Sequence, residues 1–267
     1  MEFFTILLSG VLGLVTPAGL VIDRTAESAI RSQLQQAERL EVRVDNAPSH
    51  QLLQGKVERV RLAGRGLRLK QQNVRIAAVE LETDSVDVEP RSLSKQKLEL
   101  RRSLQAGVHF LLEQQDLNQV LPTLVARIQE FVIPELGGDR SESNSNYRFI
   151  NPRLELLANN RLRFQVELAA EGDDEPLTIT AESGLAVLGG RQIRLIQPTV
   201  TVDREAVAQD IVDEIATNLS QELDFRRLEV YGIQVRILQL KVEAQKLDLV
   251  TFIRVEPSSP LLQNRQL

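Results

Sequence analysis

Through most of this chain Leu, Ile and Val alternate with charged or polar residues, the period of a strand with one dry and one wet face. The alternation fills Leu40–Leu112 and Tyr147–Val202 and returns over Leu228–Val255. In the first block Leu40, Val42 and Val44 open a strand that Pro48 ends. Val60, Leu62, Leu67 and Leu69 follow, with Gly64 and Gly66 marking a bulge or sharp bend. Val74 and Ile76 lead into Val79, Leu81, Val86 and Val88, with a kink at Thr83-Asp84; Leu98, Leu100 and the run Leu104–Leu112 complete the block. In the second block the pattern predicts strands over Tyr147–Leu157, Arg161–Ala170, Leu177–Leu188 and Arg191–Val202. Asn159-Asn160, the acidic stretch Glu171–Glu175 and Gly189-Gly190 supply the turn chemistry of hairpins. The last strands are expected over Leu228–Val235 and Ile237–Val255, turning near Gln245.

The period lengthens in three places. Ile22, Ala26, Ala29, Ile30, Leu34, Ala37 and Leu40 are spaced for a helix over Asp23–Leu40, with Asp23 or Thr25 as its N-cap. A second helix begins at Asp116 and carries Leu117, Val120, Leu121, Leu124, Val125, Ile128, Phe131 and Val132, with a kink or short turn expected at Pro122. A third runs from an Asp203 cap to about Glu222, its narrow stripe Val207, Ile211, Ile215 and Leu219 suited to lying along a sheet. Pro134, Gly137, Gly138 and the polar run Asp139–Asn146 divide the strand-rich halves. Val60–Leu69 and Leu228–Val235 echo each other as strand, glycine, strand.

Phe3–Ile22 carries no charge and is about long enough to cross a bilayer core. It resembles a signal peptide or signal anchor, yet Glu2 precedes it and the nearest basic residues, Arg24 and Arg31, follow it. That arrangement does not favour export by the positive-inside rule, and Pro17 with Gly19 would break a continuous helix. A shallow membrane-inserted segment and a buried core helix stay open beside the anchor. The expected layout is a membrane-seeking segment at 1–22, one domain over 23–256 divided near 134–146, and a disordered tail at 257–267.

Composition narrows the chemistry. A net charge of −5 and 4% aromatics give nucleic acid neither a basic surface nor stacking platforms. With no Cys there are no disulfides, thiolate metal sites or cysteine nucleophiles. Phosphate-cradling glycine loops, HExxH and GxSxG are absent. His50 falls in the turn expected after Pro48-Ser49 and His109 on the polar side of its strand, without partners for a triad. Glu171, Asp173, Asp174 and Glu175 lack the spacing of an EF-hand loop and read as a solvated turn. No catalytic residue, metal or cofactor is expected; the chain reads as a binder of something apolar.

The stretch Leu53–Leu67, the segments Val79–Asp84 and Asp116–Leu121, and the closing strands around Leu228–Leu249 resemble the LmeA-like phospholipid-binding family of bacterial envelope proteins. The resemblance covers about Thr25 to Val255. It implies an α+β fold of the tubular lipid-binding kind: long, curved antiparallel sheets wrapped around amphipathic helices, with an apolar groove for acyl chains. It also implies a membrane or envelope location and no catalysis; the envelope or periplasmic side is favoured, with the cytoplasmic face left open. The expected partners are a phospholipid or other acyl lipid and a membrane; protein partners are not read.

Sixteen or so methylenes at about 0.8 kcal/mol each give a large driving force, offset in part by ordering the lipid. The candidate lining is Val74, Ile76, Leu98, Leu100, Val108, Phe110, Phe164, Val166, Leu168, Ile193 and Leu195. Aspartate at Val108 or Phe110 is expected to abolish lipid binding and spare secondary structure. The competing reading is a structural or interaction protein whose sheet is covered by its own helices or by a partner.

Overall fold

The computed structural model describes residues 30–31, 34–45, 54–70, 75–89, 99–136, 147–170 and 175–260, with backbone alone over 127–136 and at 147. The apolar segment at 1–22, His50, the carboxylates at 171–174 and residues 261–267 lie outside the described residues.

The alternating blocks form antiparallel sheets, and the fold is α+β as expected. The large sheet has seven strands: β1 (Leu34–Gln36), β2 (Arg39–Asp45), β4 (Arg59–Leu69), β5 (Arg75–Thr83), β7 (Leu104–Glu113), β13 (Ile233–Glu243) and β14 (Lys246–Val255). Its path is β1-β4-β5-β7-β14-β13, with β2 also on β4. The closing hairpin thus zips onto the first half, Leu247–Val255 pairing with Leu112–Leu104. A small sheet holds β8 (Tyr147–Leu157), β9 (Arg161–Ala170), β10 (Leu177–Leu188), β11 (Gln192–Val202) and β12 (Glu205–Ala206) in sequence order. Two short strands, β3 (Lys56–Val57) and β6 (Val86–Asp87), pair separately, since β5 ends at Thr83 and the chain leaves the large sheet there. Gly66 takes φ +55°, and the phase of buried residues changes between Gly64 and Leu67, which is the expected bend.

Among the described residues two helices accompany the small sheet. Helix α1 (Gln114–Leu136) passes through Pro122 without interruption and packs on β8; α2 (Gln209–Glu222) packs on β11. The hairpins of the small sheet reach β13: Asn160 bonds the Val242 backbone through side chain and main chain, and the Gly190 carbonyl accepts from Ile237 N.

Four local expectations give way. Within Asp23–Leu40 only residues 30–31 are described as helical; Leu34–Gln36 and the chain from Arg39 are strands, because the free edge of β4 takes them as partners and their Leu34 and Leu40 side chains are buried there. Asp203 caps no helix. Asp203 and Arg204, at φ +48° and +72°, make the two-residue turn between β11 and β12, and the Asp203 carboxylate accepts from Thr178 N. Helix α2 starts later, at Gln209, and its 14 residues span about 21 Å. The strand expected from Leu228 begins at Ile233; Phe225–Tyr231 is a 3₁₀ helix, capped by Asp224 and closed by Gly232 at φ +69°. Phe225 and Leu228 are buried three residues apart, one 3₁₀ turn, so the echo with Val60–Leu69 does not extend to structure. Beyond β14, Ser259 is buried and donates to the Tyr231 carbonyl.

Candidate functional site

The dry face of the large sheet is filled by its own chain. Leu67, Val79, Val108, Leu249 and Ile233 are almost wholly removed from solvent. Phe225 and Leu228 of the 3₁₀ helix, Ile193 of β11, and Leu185 and Val187 of β10 join the same core.

The small sheet has an equally apolar face with a different fate. Register places Phe164 beside Leu154 on β8 and Ala181 on β10, Val166 beside Ile179, and Leu168 between Phe149 and Leu177. Leu195 sits opposite Leu185, and Ile193 opposite Val187, on that face. Val166 and Ile193 are buried, whereas Phe164, Leu168, Ile179 and Leu195 are half-buried and Leu177 is 44% exposed. The end next to the large sheet is closed by the shared core; the end at Phe149, Leu168, Leu177 and Val202 is open.

Helices border this face on both sides, held by polar groups that also complete the edge strands. Asn118 of α1 accepts from Leu154 N at 2.7 Å and donates to its carbonyl at 2.8 Å, while Gln114 Oε1 accepts from Leu156 N at 2.7 Å. Ser220 Oγ of α2 accepts from Leu195 N at 3.3 Å, and the Leu223 carbonyl accepts from Ile193 N. An unpaired strand edge needs such cover. At the start of α1, Arg75 reaches Asp116 at 2.9 Å, Glu38 at 3.1 Å and Glu113 at 3.4 Å. Burial pushes the Asp116 carboxyl above its ordinary range, with Arg75 opposing that rise. At the far end of α2, Asp224 caps the 3₁₀ helix; the Arg226 guanidinium bonded to it holds its carboxyl below the ordinary range.

The expected lining residues therefore fall in two places. Ile76, Leu100, Val108 and Phe110 lie in the packed core, Val108 at 1% and Phe110 at 3% exposure. Phe164, Val166, Leu168 and Leu195 share the open face, and Ile193 lies where that face meets the core. Val74 and Leu98 lie outside the described residues. The apolar stripe expected to pack α2 on the sheet does not do so: Val212, Ala216 and Ser220 face β11, leaving Ile211, Ile215 and Leu219 at 50%, 43% and 46% exposure.

A depression of about 820 Å³ lies on the wet face of the large sheet. Glu41, Arg43, Arg61, Glu80 and Glu82 stand around it, while Ala63, Gly107, Leu238 and Val250 are among its uncharged lining residues. At its side His109 Nε2 is 3.1 Å from Asp248 and Nδ1 is 3.7 Å from Glu80. Among the described residues there is no group of three or more side chains placed to hold a metal, and no helix long and apolar enough to cross a membrane.

No curated protein and no solved structure matches this chain. The model of the LmeA-like phospholipid-binding family matches residues 15–252, and the chain belongs to that family.

Proposed function

We propose that this protein binds phospholipid by its acyl chains on the open dry face of the small sheet, between α1 and α2. The observation that carries the reading is the half-exposure of Phe164, Leu168, Ile179 and Leu195 on one continuous apolar surface. Leaving it wet forgoes about 25 cal/mol for each Å² that an acyl chain would cover. The length also fits. Ten-residue β9 spans about 33 Å, and an acyl chain fills roughly half of a bilayer core of about 30 Å. In this reading the protein is a membrane-associated lipid carrier of the cell envelope and not a catalyst. The uncharged Phe3–Ile22 segment supports the membrane association.

The test is mass spectrometry of an organic extract of the purified full chain. Phospholipid in stoichiometric amount is the expected result, and its loss in Phe164→Asp, with circular dichroism unchanged, places it on the small sheet. An extract free of lipid, from protein also equilibrated with phosphatidylcholine vesicles, overturns the reading in favour of a structural or interaction protein.

A further inference from the structure

Residues of six strands, from Glu41 on β2 to Leu238 on β13, line the one depression on the wet face of the large sheet. Neighbouring strands lie about 4.8 Å apart, so a hollow shared by six of them requires a curved sheet with its wet face inside. Its volume, about 820 Å³, is that of a small-molecule site. Register sets out the charges in two rows. One runs Arg43, Arg61, Glu82, Gly107 across β2, β4, β5 and β7; the next, two residues along each strand, runs Glu41, Ala63, Glu80, His109. Most of these charges are matched: Asp45 pairs with Arg61, Arg59 with Glu82 at 2.9 Å, and Arg39 with Glu41 at 2.9 Å. Two are not. Among the described residues Arg43 has no hydrogen bond or ion pair, and it stands opposite Arg61, a like-charge pairing that disfavours an antiparallel sheet. Glu80 has only the His109 ring, 3.7 Å away, and its side chain is 72% exposed.

Arg43 and Glu80 are opposite in sign but stand diagonally, two strands and two residues apart, about 12 Å between their Cα positions, with the short Ala63 between them. We propose that this hollow binds a zwitterionic phosphate–amine group, its phosphate on Arg43 and Arg61 and its ammonium over Ala63 between Glu80 and Glu41. A phosphate held by both guanidinium groups turns their repulsion into two charge-assisted contacts. The ammonium then gives Glu80 the counter-charge it lacks. Beyond these rows the hollow turns apolar. A Cβ added to Gly107 would meet nothing within 4 Å, Val250 is half-buried, and Leu238, at the bulge of β13, is 66% exposed. The glycerol and first carbons of an intact phospholipid fit that end. The site lies on the wet face of the other sheet, so it stands independently of the acyl groove.

Calorimetric titration of the full chain with glycerophosphoethanolamine, and with dihexanoyl phosphatidylethanolamine below its micelle concentration, tests the site. Saturable binding is expected, several-fold tighter than that of inorganic phosphate or ethanolamine alone. Arg43→Gln and Glu80→Gln, each checked for fold by circular dichroism, should each weaken it several-fold. Arg204→Gln, in a turn of the small sheet, should leave it unchanged. Tighter binding of the short-chain lipid than of the free headgroup assigns the site to a membrane lipid, and equal binding assigns it to the free headgroup. The proposal is overturned if neither ligand saturates, if either fragment alone binds as tightly, or if Arg43→Gln and Glu80→Gln bind as the parent does. Phe164→Asp, directed at the acyl groove, should bind glycerophosphoethanolamine unchanged. Loss in that variant would move the headgroup to the small sheet, overturning this site and leaving the groove reading in place.

Discussion

The two sheets are written in the same alternating code and end in different states. On the large sheet β14 pairs edge to edge with β7, β13 follows, and the 3₁₀ helix and a corner of the small sheet seal the dry face. On the small sheet the helices stay at the edges, α1 on β8 and α2 on β11. Val108 and Phe164 both sit mid-strand on an apolar face, yet one is buried and the other half-open. An apolar face becomes core or site according to what the rest of the chain lays over it.

The comparison breaks most sharply under a buried charge. Val108→Asp strands a carboxylate without a partner in the packed core and should cost about 4 kcal/mol or more, enough to unfold many domains. The sequence alone made this a lipid-site substitution; its burial makes it a folding one. Phe164→Asp should cost about 1 kcal/mol and remove bound lipid instead. Thermal melts with lipid extraction on both variants check the contrast, and equal destabilisation would mean the small-sheet face is core as well.

Next in size is the brace between the large sheet and the wall helix α1. Arg75→Ala leaves the buried Asp116 carboxylate without its main counter-charge, at about 3 kcal/mol near neutral pH. Asp116 already has a raised pKa in the folded state, and losing Arg75 raises it further. Ionisation then disfavours folding, so the variant should regain stability as pH falls through that raised value, which melts across the acidic range will show. Asn118→Ala removes both partners of the Leu154 backbone and should cost about 2 kcal/mol. Faster amide exchange at Leu154, with the large-sheet core still protected, is the local signature.

The smallest effect is at Asp224. Its carboxyl is lowered by Arg226 in the folded state. The stabilisation is therefore fully present above the ordinary carboxylate pKa, about 3.9, and is lost as acid is taken down through the lowered value. Asp224→Ala should cost about 1 kcal/mol at neutral pH, as caps do, and should flatten that part of the acid limb.

Much of the fold was legible because local chemistry and tertiary need agreed. β8 to β11 sit within a residue of the alternation, and their left-handed turns fall at Asn159-Asn160 and Gly189-Gly190. Where they disagreed, packing won. Leu34 and Leu40 have helical spacing, yet β4 had an edge to fill. Asp203 suits a cap and equally suits a left-handed turn. Half of the candidate site was legible in the same sense. Phe164, Leu168 and Leu195 lie on the open face, but Val108 and Phe110 carry the same pattern into the core. The stripe Ile211-Ile215-Leu219 was visible as apolar, and only the choice of the Val212-Ala216-Ser220 row for packing freed it.

By itself the sequence determined how much apolar sheet the chain makes, where it turns, and that reactive side chains are scarce. Alternation, turn residues and composition are local properties, readable without knowing what lies above a face. The tertiary structure decided which apolar face is covered. Coverage depends on β14 returning to β7 across more than a hundred residues, and on Asn118 and Ser220 holding their helices at the edges of the small sheet. Burial is settled by such distant partners, and no window of the chain contains them.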